Sequence, residues 1–247
     1  MGIDKRVAIN LPELGLIEPT PIQAESIPAI VDGRDLLGLA QTGTGKTAAF
    51  GLPMLTRLLI AGERPAPKSC RALILAPTRE LATQIAQNVE SFAKGTGLRT
   101  FRVVGGASIN VQVDRLERGV DILIATPGRL IDLIERRAIR FDQTRYLVLD
   151  EADQMLDLGF IHALKRIVTL LPKARQSLFF SATMPKNIAG LASQYLTDPV
   201  QVAVTPVATT AERVEQQVMF VHTGAKQALL GHILRDPKID RVLVFTR

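Results

Sequence analysis

Short apolar segments rich in valine, isoleucine and leucine alternate along this chain with longer segments of helical periodicity. The apolar segments are Asp35–Leu39, Ala72–Leu75, Thr100–Val104, Asp121–Ala125, Tyr146–Leu149, Ser177–Phe180 and Val200–Val204. The helical segments between them are Thr47–Leu59, Glu80–Lys94, Gly128–Glu135, Ile161–Leu171 and Lys186–Tyr195. Strands that are apolar along their whole length are buried on both faces, which is typical of a mainly parallel sheet covered by helices on either side. We therefore predict one α/β domain for residues 1–204.

The composition changes after residue 204, where Thr205–Ala211 contains mostly small and polar residues and is typical of a linker. We predict a linker at residues 205–213. A strand, a helix and a second strand are predicted to follow, at Val214–His222, Ala225–Leu234 and Arg241–Phe245. Because so short a segment cannot bury an independent core, we interpret residues 214–247 as the truncated start of a second domain.

Composition places the chain among ordinary globular proteins. Of its 247 residues, 47% are hydrophobic and 22% are charged, which suits a domain with a sizeable core. No apolar run approaches the roughly 20 residues that a membrane helix needs. The single cysteine, Cys70, excludes an internal disulfide framework. We therefore expect a protein of the reducing cytoplasm with no membrane partner.

Basic residues are in excess, with 30 Lys and Arg against 24 Asp and Glu and a formal net charge of +6. A basic surface of this kind is either simply solvated or attracts phosphate backbones. The chain has no Trp, two Tyr and nine Phe, so it is poorly equipped to hold single strands by base stacking. If nucleic acid binds, we expect its sugar-phosphate backbone to be the main point of contact.

The first apolar segment runs into Ala40–Thr47 (AQTGTGKT), and a helical segment follows. This strand–loop–helix context is the one that a phosphate-binding loop requires. Gly43 and Gly45 allow backbone N–H groups to point at phosphate oxygens, and the helix adds its positive dipole end. Lys46 is expected to reach the β- and γ-phosphates, and the Thr47 hydroxyl to ligate Mg²⁺. The predicted nucleotide contacts in this loop are Gln41, Thr42, Gly43, Thr44, Gly45, Lys46 and Thr47.

A second acidic motif follows the apolar segment that ends at Leu149. In parallel α/β sheets, ligands bind beyond the carboxyl ends of the strands. Asp150 is therefore placed to hold Mg²⁺, and Glu151 to orient and deprotonate an attacking water. The alternative is that these two carboxylates are a helix cap and a first-turn acid. The predicted catalytic residues are Lys46, Asp150 and Glu151.

The residues Asp150–Asp153 spell DEAD, and essentially the whole chain resembles the DEAD-box RNA helicases, in particular their bacterial members. The other matching motifs, in chain order, are Pro19–Gln23, Ala40–Thr47, Pro77–Ala82, Gly105–Gly106, Thr126–Arg129, Ser181–Thr183 and Val242–Arg247. The resemblance implies a RecA-like P-loop NTPase fold for residues 1–204. It also implies an ATP-dependent RNA helicase activity, with ATP and Mg²⁺ as cofactors and RNA as partner.

By this resemblance, Thr20 and Gln23 bind the nucleotide, and Gln23 recognises adenine, which makes ATP rather than GTP the substrate. The chemistry agrees, because a side-chain amide offers one donor and one acceptor, and adenine N6 and N7 need one of each. The alternative for Gln23 is an exposed polar residue in a first helical turn.

The resemblance also assigns six residues to the RNA path: Thr78, Arg79, Gly105, Gly106, Thr126 and Arg129. Each follows an apolar strand, so all should emerge at the same edge of the sheet as the nucleotide. Glycines allow close approach of a backbone, and hydroxyls and arginines contact phosphate. Two alternatives stay open, a helix-start turn at Thr126–Gly128 and an ordinary loop at the glycine pair.

Ser181 and Thr183 are expected, again by resemblance, to bond to Asp153 and so couple the ATP site to domain movement. The same Ser-Ala-Thr-Met-Pro stretch would also suit a helix start with proline in its first turn.

Two departures from the family pattern affect the expected activity. The aromatic residue that the family places upstream of its Q motif, here Pro19–Gln23, would precede Met1, and Leu16 stands where Tyr or Phe is common. The family's arginine finger lies in the second domain, beyond Arg247. We therefore expect this chain by itself to bind nucleotide, to hydrolyse it poorly and not to unwind RNA.

Two other functions remain as alternatives to an RNA helicase. A DNA translocase could share this core, and only the Q motif and the DEAD spelling argue against it. An RNA chaperone that uses ATP as a lock would have no need of a positioned base, so Glu151 argues against it.

Overall fold

The computed structural model describes residues 1–204, 217–237 and 239–245. The chain forms two compact units, Met1–Pro206 and Val207–Arg247. The linker predicted at residues 205–213 lies outside the described residues, as do the first three residues of the strand predicted at Val214–His222.

The first unit is built on one seven-stranded sheet whose strands are all parallel. Its strands, in chain order, are β1 Leu36–Leu39, β2 Cys70–Leu75, β3 Thr100–Val103, β4 Val120–Ala125, β5 Tyr146–Leu149, β6 Gln176–Ser181 and β7 Val200–Ala203. They lie side by side in the order β3-β4-β2-β5-β6-β1-β7. The prediction of a parallel α/β sheet is confirmed.

Nine α-helices are described in this unit: α1 Lys5–Ala8, α2 Pro21–Val31, α3 Lys46–Ala61, α4 Arg79–Phe92, α5 Ile109–Leu116, α6 Pro127–Glu135, α7 Ala152–Asp157, α8 Ile161–Thr169 and α9 Lys186–Tyr195. None of the described helices is long and apolar enough to span a bilayer.

Two hydrophobic clusters cover the two faces of the sheet. Alternate residues of β2 show the division, because Ile74 belongs to one cluster and Leu73 to the other. The first cluster includes Phe50 of α3, and the second includes Leu130 of α6. Burial on both faces explains why the strands are apolar throughout rather than alternating with polar residues.

Parallel strands all end at one edge of the sheet, and this edge collects the loops that carry the predicted site residues. The loop at Ala40–Thr47 follows β1, Asp150 follows β5, and Thr183 follows β6. Since β6 lies between β1 and β5, the three loops are neighbours.

The second unit contains one described α-helix, α10 at Lys226–Ile233, within the predicted helix Ala225–Leu234. The predicted strand at Arg241–Phe245 is wrong, and residues 217–222 of the other predicted strand are not in a strand either. A strand needs a neighbouring strand for its backbone hydrogen bonds, and the described residues of this unit include no strand beside these segments. Apolar side chains such as Phe220 and Leu243 are accordingly exposed.

Candidate functional site

The loop between β1 and α3 has the backbone geometry of a phosphate cradle. Gly43 and Gly45 have φ angles of 86° and 90°, in the left-handed region that glycine adopts without strain. A Cβ atom added at Gly45 would also collide with the side-chain amide of Gln23. The backbone angle therefore favours glycine at this position, and a larger residue would also have to displace the Gln23 amide.

Lys46, the first residue of α3, is 5% exposed and lies at the base of a cavity of about 420 Å³. Its Nζ is 3.4 Å from Oδ1 of Asp150 and 3.9 Å from Oε1 of Glu151. Within the described residues, this ammonium group has no hydrogen-bond acceptor in good geometry. A buried ammonium group ordinarily needs such acceptors, so Lys46 is poised for an anion in the cavity.

Asp150 is 2% exposed and shares the cavity with Thr47. Burial raises the pKa of its carboxyl group above the ordinary value, while the nearby Lys46 acts in the opposite direction. A cation that neutralises this carboxylate would offset the cost of its burial.

The described residues hold no group of three or more His, Cys, Asp or Glu side chains suited to a metal ion. Mg²⁺ at phosphate-transfer sites is usually held by one or two carboxylates together with substrate phosphates and water. The carboxylate of Asp150 and the hydroxyl of Thr47 therefore fit the protein's share of such a site.

Glu151 has a left-handed backbone conformation, with φ of 52°, at the N-cap position of α7. Its side chain makes no capping hydrogen bond. Instead, Oε1 accepts a hydrogen bond of 2.6 Å from the hydroxyl of Thr42, in the phosphate loop. The strained backbone turns this carboxylate toward the cavity, so the helix-cap alternative does not describe its side chain.

The start of α2 is tied to the phosphate loop by the side chains of Thr20 and Gln23. The Thr20 hydroxyl donates to the carbonyl of Thr44 at 2.9 Å, and Nε2 of Gln23 donates to the carbonyl of Gly45 at 3.1 Å. Oε1 of Gln23 accepts from the backbone N–H of Thr20 at 3.1 Å. At 5% exposure, Gln23 is not the exposed polar residue of the alternative interpretation. Each end of its amide makes one bond within the protein, and each has a second donor or acceptor position through which adenine could be recognised.

A second cavity, of about 430 Å³, lies at the same edge of the sheet. Five predicted RNA-path residues line it: Thr78, Arg79, Gly105, Thr126 and Arg129. Gly106, the sixth, has a φ of 81°, and a Cβ atom there would collide with the guanidinium group of Arg79. Sequence reasoning thus predicted residues that the fold brings together from three strand ends, those of β2, β3 and β4.

The two arginines of this second cavity are held in different ways. Nη1 of Arg129 donates to the carbonyl of Ala107 at 2.9 Å, and its Nε lies 3.4 Å from Oδ2 of Asp132. Arg79 packs against the backbone of Gly105 and Gly106. Both guanidinium groups are therefore positioned before any ligand arrives.

Two threonines of the path differ in how free their hydroxyl groups are. The Thr78 hydroxyl oxygen caps α4 by accepting from the N–H of Leu81 at 3.1 Å. Thr126 is the N-cap of α6 but makes no side-chain capping bond. The helix-start alternative is thus correct for the backbone of Thr126, and it leaves that hydroxyl available.

Sequence reasoning missed several residues that line these cavities. Phe160 lies in the second cavity, and Gln84, Asn88 and Ser91 of α4 lie in the first. The α4 residues are three or four positions apart, so helical periodicity could have placed them on one face. Phe160 belongs to no recognised motif, and its position depends on the turn after α7.

Asp153 joins α7 to the loop after β6. Its Oδ2 accepts from the backbone N–H of Thr183 at 3.0 Å and from the Thr183 hydroxyl at 2.9 Å. The Ser181 hydroxyl donates to the carbonyl of Thr183 at 2.8 Å, and the Ser181 side chain also lowers the pKa of Asp153 by hydrogen bonding. Burial alone would raise the pKa of Asp153, but the hydrogen bonds from Thr183 and from the Gln154 backbone together lower it.

Comparison with known proteins agrees with this geometry. The DEAD/DEAH box helicase family model matches residues 20–191. The chain is 43% identical to the RNA helicase CrhR of Synechocystis sp., with all of this chain and 49% of that protein aligned. It is 41% identical to the DEAD-box ATP-dependent RNA helicase 52A of Oryza sativa subsp. japonica, over 96% of this chain and 42% of that protein.

A third relative, the DEAD-box ATP-dependent RNA helicase CshA of Streptococcus pneumoniae, is 38% identical over all of this chain and 46% of that protein. The chain spans about half the length of the curated relatives it matches. From the extent of the family match and the motifs at one edge of the sheet, the chain belongs to the DEAD/DEAH box helicase family.

Proposed function

We propose that this chain is the ATP-binding part of an ATP-dependent RNA helicase of the cytoplasm, in which ATP hydrolysis drives local separation of RNA duplexes. The observation that carries the proposal is the buried ammonium group of Lys46, which lies beside Asp150 and Glu151 and finds no hydrogen-bond acceptor of good geometry in the described part of the chain. The three names of related proteins, all RNA helicases, support the same function.

In this proposal Lys46 contacts the β- and γ-phosphates, and the N–H groups around Gly43 and Gly45 surround them. Thr47 and Asp150 hold Mg²⁺. The ion, when bound, neutralises charge that develops on the phosphate oxygens during transfer. The dry surroundings of Lys46 and Asp150 strengthen these electrostatic interactions relative to water.

Glu151 is the proposed general base. Its Oε1 would accept a proton from the water that attacks the γ-phosphate. In this structure that oxygen accepts the hydroxyl of Thr42, at 2.6 Å. We therefore propose that Thr42 releases Glu151 when phosphate enters the loop.

Thr20 and Gln23 are the proposed link between base and phosphates. Gln23 would bond to adenine N7 through the second hydrogen of Nε2 and to N6 through the second lone pair of Oε1, beside its bonds to Gly45 and Thr20. Because the same amide bonds to Gly45, recognition of adenine is then coupled to the position of the phosphate loop.

RNA is the proposed ligand of the second cavity, through its phosphates. Arg79 and Arg129 supply charge, Gly105 and Gly106 allow close approach, and Thr78 and Thr126 supply polar groups. Asp153, Ser181 and Thr183 form the proposed coupling element, because the bonds from Thr183 to Asp153 connect α7 to the end of β6, the strand between those that carry the phosphate loop and Asp150.

This chain by itself is proposed to hydrolyse ATP slowly. Lys46 is the single cation among the described residues that line the nucleotide cavity. In related phosphoryl-transfer enzymes an arginine finger accelerates the reaction on the order of 10³–10⁵-fold. Unwinding would accordingly need a second domain that supplies such a residue.

The decisive experiment is a comparison of ATP hydrolysis by the natural-length protein with RNA and with DNA of matched sequence. Stimulation by RNA alone supports the proposal, and equal stimulation by DNA supports a translocase. A Glu151→Gln variant separates the third possibility. It should accumulate ATP-bound, RNA-bound protein if Glu151 is the base, whereas a chaperone without hydrolysis would be unaffected.

A further inference from the structure

A third cavity, of about 500 Å³, lies at the opposite edge of the sheet, where the strands begin. We name it the amino-edge pocket. Its charged lining residues are Arg57, Arg71, Arg145, Arg175 and Glu63. Four guanidinium groups against one carboxylate make this an unusually basic lining, and neither the helicase motifs nor the nucleotide cavity includes these residues.

Three of these arginines are in register on neighbouring strands. Ala72 pairs with Tyr146, and Tyr146 pairs with Gln176, across β2, β5 and β6. The residues immediately before them are Arg71, Arg145 and Arg175. Adjacent strands are about 4.8 Å apart, so the row brings three like charges together. Like charges on directly neighbouring strands are destabilising unless a counter-charge compensates them.

Of the three arginines in the row, Arg71 has its charge compensated by an ion pair within the protein. Nη1 of Arg71 forms a buried ion pair of 3.0 Å with Asp121, and its Nη2 donates to the carbonyl of Leu58. Among the described residues, no carboxylate oxygen lies within 4.0 Å of a side-chain nitrogen of Arg57, Arg145 or Arg175. Within the described residues, Arg145 and Arg175 therefore have no carboxylate in contact, although Nη1 of Arg175 donates to the carbonyl of Pro172 and Asp35 lies near enough to raise its pKa.

Two buried polar atoms at this pocket also lack partners within the described part of the chain. They are Nε of Arg175 and Oε1 of Gln176, a residue that is 6% exposed. Burial, against the opposing effect of nearby Asp35, lowers the pKa of Arg175. Buried polar groups are ordinarily satisfied by protein or by bound molecules, so both atoms point to a ligand.

From this arrangement we propose that the amino-edge pocket binds a phosphate group, as a second anion site separate from the nucleotide cavity. A phosphate monoester carries nearly two negative charges and three terminal oxygens. A carboxylate offers one charge and two oxygens, too little for the uncompensated cations. Guanidinium forks match phosphate geometry in pairs of hydrogen bonds. A protonated phosphate oxygen could donate to Gln176.

The two phosphate sites are too far apart to serve one nucleotide. β2 begins beside the amino-edge pocket and has six residues, Cys70–Leu75, which span about 20 Å at 3.3 Å per residue. The source of the phosphate group is therefore either free phosphate or an RNA strand that passes around the domain.

A titration by nuclear magnetic resonance tests the site directly. The Nε–H signal of Arg175 is followed in the 247-residue protein while inorganic phosphate is added, with sodium chloride at matched ionic strength as reference. The signal should shift along a saturable curve with phosphate and not with chloride. Arg145→Glu, at an exposed position, should weaken the apparent affinity at least about tenfold, and Arg136→Glu, outside the pocket, should leave it unchanged.

Competition experiments with RNA identify the source of the phosphate group. A short RNA that competes with phosphate only when 5′-phosphorylated indicates a terminal phosphate, and one that competes in either form indicates the backbone. If neither RNA displaces phosphate, free phosphate is the ligand. The proposal is overturned if phosphate gives no saturable shift in the wild-type protein, or if a hexaglutamate peptide saturates the signal and phosphate does not. Because the wild-type curve decides this, a variant that fails to fold leaves the test intact.

Discussion

The hydroxyl of Thr42 donates a 2.6 Å hydrogen bond to Oε1 of Glu151, and both residues line the cavity that Lys46 also lines. The bond joins the phosphate loop after β1 to the acidic motif after β5. It gives the carboxylate of the proposed base a partner within the protein. Glu151 can therefore face the cavity although its side chain does not cap α7. Its rupture would be an early event when nucleotide binds.

Replacing Glu151 with Gln should separate binding from hydrolysis. The amide keeps the size of the side chain and its bond to Thr42 but cannot accept a proton, so single-turnover hydrolysis should fall by about 10²–10⁴-fold. ATP affinity should stay within about threefold, since the phosphates gain nothing from this base. Asp157→Asn, an exposed acid of the same helix, is the matched control. Equal hydrolysis by Glu151→Gln and wild type would remove Glu151 from the mechanism.

Gln23→Ala distinguishes recognition of adenine from anchoring of the phosphate loop. If the amide reads the base, the preference for ATP over GTP should fall by about tenfold, because a paired amide contact discriminates by about 1–3 kcal/mol. The variant should also be less stable, since Thr20 and Gly45 lose their partners. Gln87→Ala on the exposed face of α4 serves as control. A loss of stability with an unchanged ATP-to-GTP ratio would limit Gln23 to anchoring.

Arg79→Ala should weaken binding of single-stranded RNA about equally for all sequences. A phosphate contact carries no base information, and its loss should reduce the slope of log affinity against log salt by about 0.7. Gly106→Ala should act in the same direction, because its Cβ atom would displace the Arg79 guanidinium group. Arg136→Ala, at an exposed helix end, is the control. An unchanged salt slope would show that Arg79 does not contact phosphate.

Thr183→Val should raise the pKa of Asp153, whose lowering depends on hydrogen bonds including that from the Thr183 hydroxyl. Because the folded-state pKa is lowered, ionised Asp153 adds stability above about pH 4. That contribution is lost as the pH falls through the lower folded-state value. Carboxyl carbon shifts measured against pH give the pKa directly, with exposed Asp157 as an internal reference. Identical Asp153 midpoints in wild type and Thr183→Val would contradict the assignment.

The sequence predicted the layers of the fold well, because burial on both faces leaves a direct trace in composition. Tyr146–Leu149 and Lys186–Tyr195 were predicted to the residue. The order of the strands was beyond prediction, since it depends on which helices cross which face. The strand predicted at Arg241–Phe245 failed for a related reason: its composition is right, but pairing depends on a neighbour.

For the nucleotide site, the motifs predicted which residues lie close together but not which hydrogen bonds they make. Lys46 and Asp150 were expected together, and they lie 3.4 Å apart. The amide of Gln23 was expected to recognise adenine, and its bonds to Thr20 and Gly45 were not predicted. Such bonds depend on distances between α2 and the phosphate loop, which no local pattern encodes. The alignment of Arg71, Arg145 and Arg175 could not be predicted either, because it depends on which strands are neighbours and in what register they pair.

The most direct test of the nucleotide site is equilibrium binding of ATP, with Mg²⁺, to the wild-type chain and to Lys46→Ala. Lys165→Ala, on the exposed face of α8, is the matched control. Removing one charge-assisted contact of about 1.5–3 kcal/mol should weaken binding by about 10–150-fold, while the control binds as the wild type does. Equal ATP affinity in wild type and Lys46→Ala would contradict the account that the ammonium group between Asp150 and Glu151 receives the phosphates.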